Sequence, residues 1–263
     1  MPFAKLKPLG VLLLALICTS LNHAADLYTA DETARQLKAL QETVQAFRAG
    51  DVSVIAKHIQ FPLARQYPLP SVETPEEFAQ RYTDIFDASL LKLITASVAE
   101  KDWDLVGWRG YMLDRGTVWA EIDGRITGIN YETKKARELR LKLIEVDRRR
   151  LHHSLIRFND PVLKWDTLSF RLRIDDLGDA NYRLALWRSD QHPQSKPALS
   201  ITAGKFEREG SGGDHTYTFH LNDVTYRCDV TVLGDDQGTP KIGTFTILRK
   251  DRELLTEDVL RDY

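Results

Sequence analysis

The sequence predicts an α+β fold: helices come first, an antiparallel sheet follows them, and the end of the chain is mostly β. Three observations support this order. Apolar residues recur at helical spacing up to about residue 94. Short strand-like runs separated by glycine follow up to about residue 131, and an alternation with a period of two dominates from about residue 158. With 43% hydrophobic and 28% charged residues, the 263-residue chain has an ordinary globular composition.

The first 25 residues predict export. Lys5 and Lys7 form a positive n-region, residues 9–18 are an apolar run, and small and polar residues then lead to Ala25. This is the pattern of a cleavable signal peptide. A transmembrane helix needs about 20 apolar residues, so the run is too short for one. We expect residues 1–25 to be removed and the mature protein to be periplasmic.

Neither of the two cysteines is predicted to carry a lipid anchor, form an intramolecular disulfide or act as a reactive thiol. Cys18 follows Ile17, whereas a lipidation signal prefers a small residue there, so signal cleavage is favoured over a lipoprotein anchor. Cleavage would leave Cys228 alone, and a single cysteine forms no intramolecular disulfide. Because Cys228 alternates in step with Tyr226 and Val230, we expect a buried, unreactive thiol.

Several other classes of site lack their sequence signals. The formal net charge of −2 becomes more negative without the two signal-peptide lysines, so no overall attraction to nucleic acid is expected. No metal is predicted, since His-Glu-x-x-His spacing is absent and His152 and His153 are direct neighbours. The glycine-rich residues 210–213 precede Asp214 rather than a lysine, which favours a hairpin loop over a phosphate cradle. We expect no cofactor.

Capping signals set the predicted helices of the first part. Thr29 and Glu32 have capping-box spacing, Gly50 ends that helix, and Asp51 can cap a short second helix that reaches His58. A third helix starts after Thr74-Pro75, and a shorter one runs to about residue 94. Residues 59–63 are strand-like, and the remaining predicted strands are 103–106, 111–113, 117–122 and 125–131, with Asp123-Gly124 as a hairpin signal.

Residues 28–132 resemble the NTF2-like family, in particular its exported bacterial members. The segments that carry the resemblance are His58 to Leu63, Glu77 to Phe86, Gly110 to Trp119 and Gly124 to Asn130. The resemblance implies a cone-shaped fold over residues 26–133, in which helices cover a curved sheet. It also implies a largely apolar pocket at the mouth of the cone, where enzymes of the family perform acid–base chemistry with aspartate, histidine and tyrosine.

This resemblance would place six residues in the cone. The candidate acid–base residues are His58, Asp84 and Tyr131, and the candidate ligand-pocket residues are Tyr82, Trp103 and Trp119. Burial would raise the pKa of a carboxyl group there into a useful range. No pair of these residues matches the catalytic motifs of the family. Tyr82 and Trp119 also fit core aromatics, His58 fits a helix end, and Asp84 lies off the apolar helix face.

The rest of the chain divides into a basic segment and a β-rich part. Residues 134–157 predict a basic linking helix, with Ala136, Leu139, Leu143 and Val146 on one face. Its charges suit a solvated face or a domain-docking surface. Residues 158–263 predict a sandwich or barrel that resembles the C-terminal domains of the same exported group. Its predicted strands are 170–174, 182–187, 198–202, 216–221, 225–233 and 243–248, the first of them half-buried.

These observations favour an exported, non-catalytic binding protein that engages a protein partner or a small apolar ligand. An NTF2-like isomerase, dehydratase or hydrolase that uses the cone pocket is the alternative from another class. A periplasmic inhibitor or immunity protein is a second alternative. A two-domain scaffold whose parts rigidify one another is the third.

Overall fold

A computed structural model of the chain describes residues 28–209, 213–232 and 242–262. The predicted signal peptide with Cys18 lies outside the described residues, as do residues 210–212 of the glycine-rich segment. No helix in the described ranges is both long enough and apolar enough to cross a membrane.

The helices begin and end where the capping signals predict. Thr29 and Glu32 form both hydrogen bonds of a capping box, and Gly50 adopts the left-handed conformation with φ 77°. Asp51 and Thr74 accept backbone N–H bonds at the starts of the next helices. The α-helices of the described residues are α1 (Ala30–Ala49), α2 (Val52–Ile55), α3 (Pro75–Ile85), α4 (Ala88–Ala96), α5 (Ala99–Asp102) and α6 (Lys134–Arg149).

Four strands follow α5 and form an antiparallel sheet in sequential order. They are β1 (Trp103–Leu105), β2 (Tyr111–Leu113), β3 (Val118–Ala120) and β4 (Ile126–Ile129). The hairpin predicted at Asp123-Gly124 is present, but its loop is longer than two residues. The Glu121 N–H donates to the Arg125 carbonyl at 2.9 Å, which leaves three residues in the loop, and Gly124 has φ +84°. A Cβ on Gly124 would lie 2.6 Å from the Ala39 backbone, so α1 packs directly on this turn.

The strand predicted over residues 59–63 is wrong. Only isolated bridges occur there, between Ile59 and Ile126 and between Leu63 and Val72. Pro62 has no N–H to donate, so it interrupts the ladder that a continuous strand would need. The segment instead runs past the edge of β4 into the loop that leads to Tyr67.

The helices cover one face of this sheet, and the space between them is filled by side chains. Alternate strand residues point into this core because successive side chains of a strand face opposite ways. The largest buried side chains on the helical side are aromatic and include Phe47, Phe78 and Phe86. From the sheet, the core receives Trp103, Tyr111, Leu113, Val118, Ala120, Ile126 and Ile129.

The second part of the chain is one antiparallel sheet that curls until it meets itself. Its strands are β5 (Asp160–Asp166), β6 (Phe170–Asp176), β7 (Tyr182–Arg188), β8 (Leu199–Arg208), β9 (His215–Leu221), β10 (Val224–Val230), β11 (Gly243–Arg249), β12 (Arg252–Asp258) and β13 (Arg261–Asp262). They pair in sequential order from β5 to β12. Two residues separate β12 from β13, and β13 pairs with β5, so the curled sheet brings the end of the described chain back to its first strand.

The outer face of β6 is not exposed, which corrects the half-buried strand that its alternating pattern predicts. Arg173 is 2% exposed and Asp175 is fully buried, although both point away from the apolar interior formed by residues such as Leu172 and Ile174. Helix α6 and the segment after it lie over this outer face and exclude water. A strand pattern shows which residues share a face, but it cannot show what covers that face.

The predicted basic helix is present as α6, but the apolar face predicted for it is only partly buried. Of the four apolar residues assigned to it, only Ala136 is buried, and Val146 is 43% exposed. The buried apolar residue nearer its end is Ile144. The helix also stops at Arg149, so His152 and His153 lie beyond it, with their ring centroids 4.1 Å apart and their planes tilted by 40°.

Candidate functional site

The predicted acid–base residues are held by three separate sets of partners. His58 Nδ1 lies 2.9 Å from the hydroxyl of Thr43, which in turn donates to the Gly124 carbonyl at 2.7 Å. Burial lowers the pKa of His58, opposed by the nearby carboxylate of Glu42. His58 therefore ends its helical turn as the sequence suggested, and its ring ties that turn to the β3–β4 hairpin.

Asp84 and Tyr131 lie near the start of α6 and do not bond to each other. The Asp84 carboxylate is 3.8 Å from the Lys135 ammonium, and its backbone carbonyl accepts from the Thr133 hydroxyl at 2.7 Å. Tyr131 donates to Asp87 at 2.9 Å, and this bond raises the pKa of the Tyr131 phenol. Both residues connect α3 and α4 to the chain that follows the first sheet.

The three predicted ligand-pocket residues also lie apart. Trp103 is buried in the helix-covered core, where its indole N–H donates to Ser97 at 2.9 Å. Tyr82 packs at the edge of that core, with its ring 5.1 Å from the Phe86 ring. Trp119 is on β3 between two core residues and points to the opposite face of the sheet, under the Arg109 guanidinium.

A cleft of about 440 Å³ lies at the junction of the two parts of the chain. The loop after residue 66 forms one wall, α6 forms the second, and the outer face of β5–β7 with the 192–193 loop forms the third. Its apolar lining consists of Pro68, Leu143, Val146, Leu151, Trp165, Leu172, Trp187 and Pro193. A mostly apolar cleft with a few polar groups, at the meeting of two structural units, is the usual character of a small-molecule site.

A buried ion-pair network fixes the wall that α6 contributes to the cleft. Asp147 of α6 bonds to the Arg173 guanidinium and lies 3.3 Å from the Lys164 ammonium. Arg173 also contacts Asp175 at 2.6 Å, and Arg183 donates to the second oxygen of Asp175 at 2.6 Å. Burial by itself would lower the pKa of Arg173, but the two carboxylates raise it overall, so the guanidinium stays charged.

Tyr67 is the polar side chain that the first part of the chain contributes to the cleft. Arg140 of α6 holds its backbone by donating to the Tyr67 carbonyl at 3.0 Å, and also pairs with Asp160 at 2.8 Å. Burial raises the pKa of the Tyr67 phenol, and the Asp147 carboxylate raises it further, so the hydroxyl keeps its proton at neutral pH. Within the described residues, that hydroxyl makes no hydrogen bond.

The rim of the cleft is basic. Arg150 caps the end of α6, and His192 lies across from it beside Pro193. The backbone N–H of His152 donates to the Pro193 carbonyl at 3.1 Å, which attaches the end of α6 to that loop. Among the described residues, no three His, Cys, Asp or Glu side chains are arranged to hold a metal ion.

Sequence reasoning missed this cleft and singled out none of its polar residues. The available signal was the pair of arginines at 171 and 173 on one face of a strand, opposite a helix that carries Asp147. An alternating strand with arginines on one face is ordinarily read as solvent-exposed on that face. Identifying the pair as buried requires knowing that α6 folds back over β6.

Comparisons with known proteins found no match for this chain. No protein-family model, no curated protein and no solved structure matches this chain. The structure therefore shows a protein of mixed helix and strand with a curled antiparallel sheet. A small cleft lies where the helical part meets this sheet.

Proposed function

We propose that this protein is an exported binding protein that takes a small, largely apolar ligand into the cleft between α6 and the outer face of β5–β7. The observation that carries the proposal is the cleft itself, with apolar walls from three segments and a volume of about 440 Å³. Small-molecule sites have volumes of about 300–1,000 Å³ and a similar lining. Export is part of the proposal because residues 1–25 have the parts of a signal peptide.

The helix-covered core is a weaker place for a ligand. Phe47, Phe78 and Phe86 fill it from the helical side, with Phe78 fully buried and its ring 6.0 Å from that of Phe86. The NTF2-like assignment remains part of the proposal for residues 26–133. Its support is the element order, in which helices precede four sequential antiparallel strands and pack on one of their faces. The β-rich residues 158–263 then supply the opposite wall of the binding cleft.

A side chain that fills the cleft tests this function. Val146 is 43% exposed and lines the cleft, so Val146→Trp should occupy the ligand's space. Leu141→Trp is the matched control, because Leu141 lies on the same helix, is 58% exposed and does not line the cleft. The probe is N-phenyl-1-naphthylamine, a neutral dye whose fluorescence rises in apolar surroundings.

We expect saturable binding of one dye per chain, about tenfold weaker in Val146→Trp and unchanged in Leu141→Trp. The loss follows from replacing the cleft volume with an indole, so the two variants should differ although both add the same side chain. Equal binding by the two variants would show that the dye binds elsewhere. Absence of saturable binding to the unaltered protein would remove the cleft as an apolar ligand site.

A further inference from the structure

The charges around the cleft are unequal, and this bears on the chemistry of its ligand. Four cations line it, whereas Asp147 is the single carboxylate among the lining residues. The cationic residues are Arg150, Lys164, Arg171 and Arg173. Carboxylates just behind the lining offset part of this charge, so each cation has to be considered with its partners.

Three of the four cations have carboxylate partners. Arg171 forms a bidentate pair with Asp166, with distances of 2.8 and 3.1 Å. Lys164 and Arg173 share Asp147. Such pairs position the side chains and leave the electrostatic potential of the wall near neutral.

Arg150 differs from these three. It follows the last residue of α6, it lines the cleft, and its guanidinium makes no ion pair with a carboxylate of the described residues. His192 lies on the same rim and accepts the Gln194 N–H at Nδ1, which leaves Nε2 directed away from that bond. The rim therefore carries the positive charge of Arg150, which forms no ion pair with a described carboxylate, and a His192 ring whose Nδ1 is a hydrogen-bond acceptor.

Tyr67 adds a hydrogen-bond donor on the opposite wall. Burial raises the pKa of this phenol. The carboxylates of Asp147, Asp262 and Asp175 raise it further, and the Arg173 guanidinium opposes them. A donor without a partner, in a cleft with a cation at the rim, is suited to an acceptor group on a ligand. An anion satisfies both the donor and the cation, whereas a neutral apolar molecule satisfies neither.

We propose that the ligand of this cleft is a small amphipathic anion, with its apolar body on Leu143 and Trp187 and its anionic group between Arg150 and the Tyr67 hydroxyl. The inference rests on the proposed function, since it names the ligand class of the same cleft. A carboxylate and a phosphate monoester share the required chemistry. The experiment separates them.

Two dyes with one skeleton test the charge requirement. 8-Anilinonaphthalene-1-sulfonate carries a sulfonate on the ring system of the neutral N-phenyl-1-naphthylamine, so their affinities differ by the contribution of the anion. We expect the anionic dye to bind at least about fivefold more tightly, which is the ratio that one partly exposed ion pair supplies. Equal affinities would overturn the anion inference while leaving the binding function in place. If neither dye binds, the binding function fails and the inference fails with it.

Matched arginine variants locate the anion. Arg150→Gln should weaken binding of the sulfonate dye about fivefold and should change the affinity for the neutral dye by less than twofold. Arg149→Gln removes the same charge from the neighbouring position, where the side chain is 75% exposed and pairs with Glu145. This variant should bind both dyes with unchanged affinity. Equal weakening by both variants would show a general charge effect and would overturn the assignment to the cleft.

Tyr67→Phe tests the second contact and keeps the ring in place. It should weaken binding of the sulfonate dye by about tenfold or more, since one hydrogen bond to a charged group is lost, and should leave binding of the neutral dye unchanged. Displacement of the sulfonate dye by octanoate or by octyl phosphate then identifies the anion. Displacement by octanol at the same concentration would contradict a requirement for charge.

Discussion

The core of residues 28–133 and the junction around α6 are both buried, but they are built from different side chains. The first is apolar, with Phe78 and its aromatic neighbours packed between the helices and the four-stranded sheet. The second holds a fully buried carboxylate, Asp175, between two arginines, and attaches α6 through Asp147. Apolar packing tolerates small shifts, whereas charged pairs require particular directions and distances.

This difference indicates what the junction network does. A buried ion pair contributes little net stability, because the desolvation of both ions offsets their attraction. Breaking one is nevertheless costly, because the remaining charge stays buried without a partner. We therefore interpret the network as a device that fixes the position of α6, and with it one wall of the cleft, while the apolar core supplies most of the stability of the first part.

The largest effect is expected for Asp175→Asn. The substitution keeps the shape of the side chain but leaves the guanidinium groups of Arg173 and Arg183 without their shared anion, so the free energy of unfolding should fall by about 4 kcal/mol. Urea denaturation followed by tryptophan fluorescence measures it, since Trp187 lies in the same wall.

The control is a second aspartate–arginine pair at the surface. Asp190 pairs with Arg188 at 3.3 Å, and both side chains are largely exposed. Asp190→Asn should therefore change the free energy of unfolding by less than about 0.5 kcal/mol. Similar losses for the two variants would contradict the view that burial makes the junction pair costly to break.

A slightly smaller loss is expected for Phe78→Ala in the apolar core. Phe78 is fully buried, and its ring lies 5.8 to 6.0 Å from those of Phe61, Tyr82 and Phe86. Its removal should lower the free energy of unfolding by about 3 kcal/mol through lost burial and a residual cavity.

Dye binding distinguishes the two regions. Binding of the naphthylamine dye at the cleft should persist in folded Phe78→Ala, whereas Asp175→Asn should weaken it. Loss of dye binding in folded Phe78→Ala would remove the contrast between the two regions.

The smallest effect concerns pH and His58. Because burial lowers the pKa of His58, the unfolded chain takes up its proton at a higher pH than the folded chain does. The stabilising contribution is therefore present above the unfolded pKa of about 6.5 and is lost as the pH falls through the lower folded value. Urea denaturation between pH 7.5 and 5 should show a shallower pH dependence for His58→Gln than for the unaltered protein.

His152 provides the comparison for this experiment. Burial and the neighbouring His153 and Lys196 also lower its pKa, but His152 belongs to the junction, where its backbone N–H donates to Pro193 and its ring contacts Ser154. Variants at His58 and His152 therefore separate the two regions in the same pH range. An unchanged pH dependence in His58→Gln would show that burial does not lower the pKa of His58 in the folded protein.

Local signals in the sequence predicted much of the first part. The capping box at Thr29, the left-handed turn at Gly50 and the Thr74-Pro75 helix start act over a few residues, so neighbouring residues suffice to recognise them. The buried state of Cys228 also follows from its alternation with apolar neighbours and is confirmed. The strand over residues 59–63 was wrong because whether an extended segment forms a ladder depends on its partner.

The cleft could not be predicted in this way. Leu143 and Val146 were assigned to one apolar face of a linking helix, but the sequence did not indicate that both line a cleft. Tyr67 gave no sequence signal, because its position depends on Arg140, which lies 73 residues further along the chain. The proposed cone residues His58, Asp84 and Tyr131 carry suitable chemistry, but they have separate partners at the edges of the core.

The sequence by itself determined the α+β order, the starts of the capped helices and most of the strands, because caps, turns and periodicity are properties of adjacent residues. The tertiary structure alone decided that the β-rich part is one curled sheet, that α6 lies over its outer face, and that Arg173 and Asp175 are buried there. Those features depend on contacts between residues distant in the chain, and the pairing partner of a charge or a strand edge is not encoded by its neighbours. The candidate site belongs to this second class.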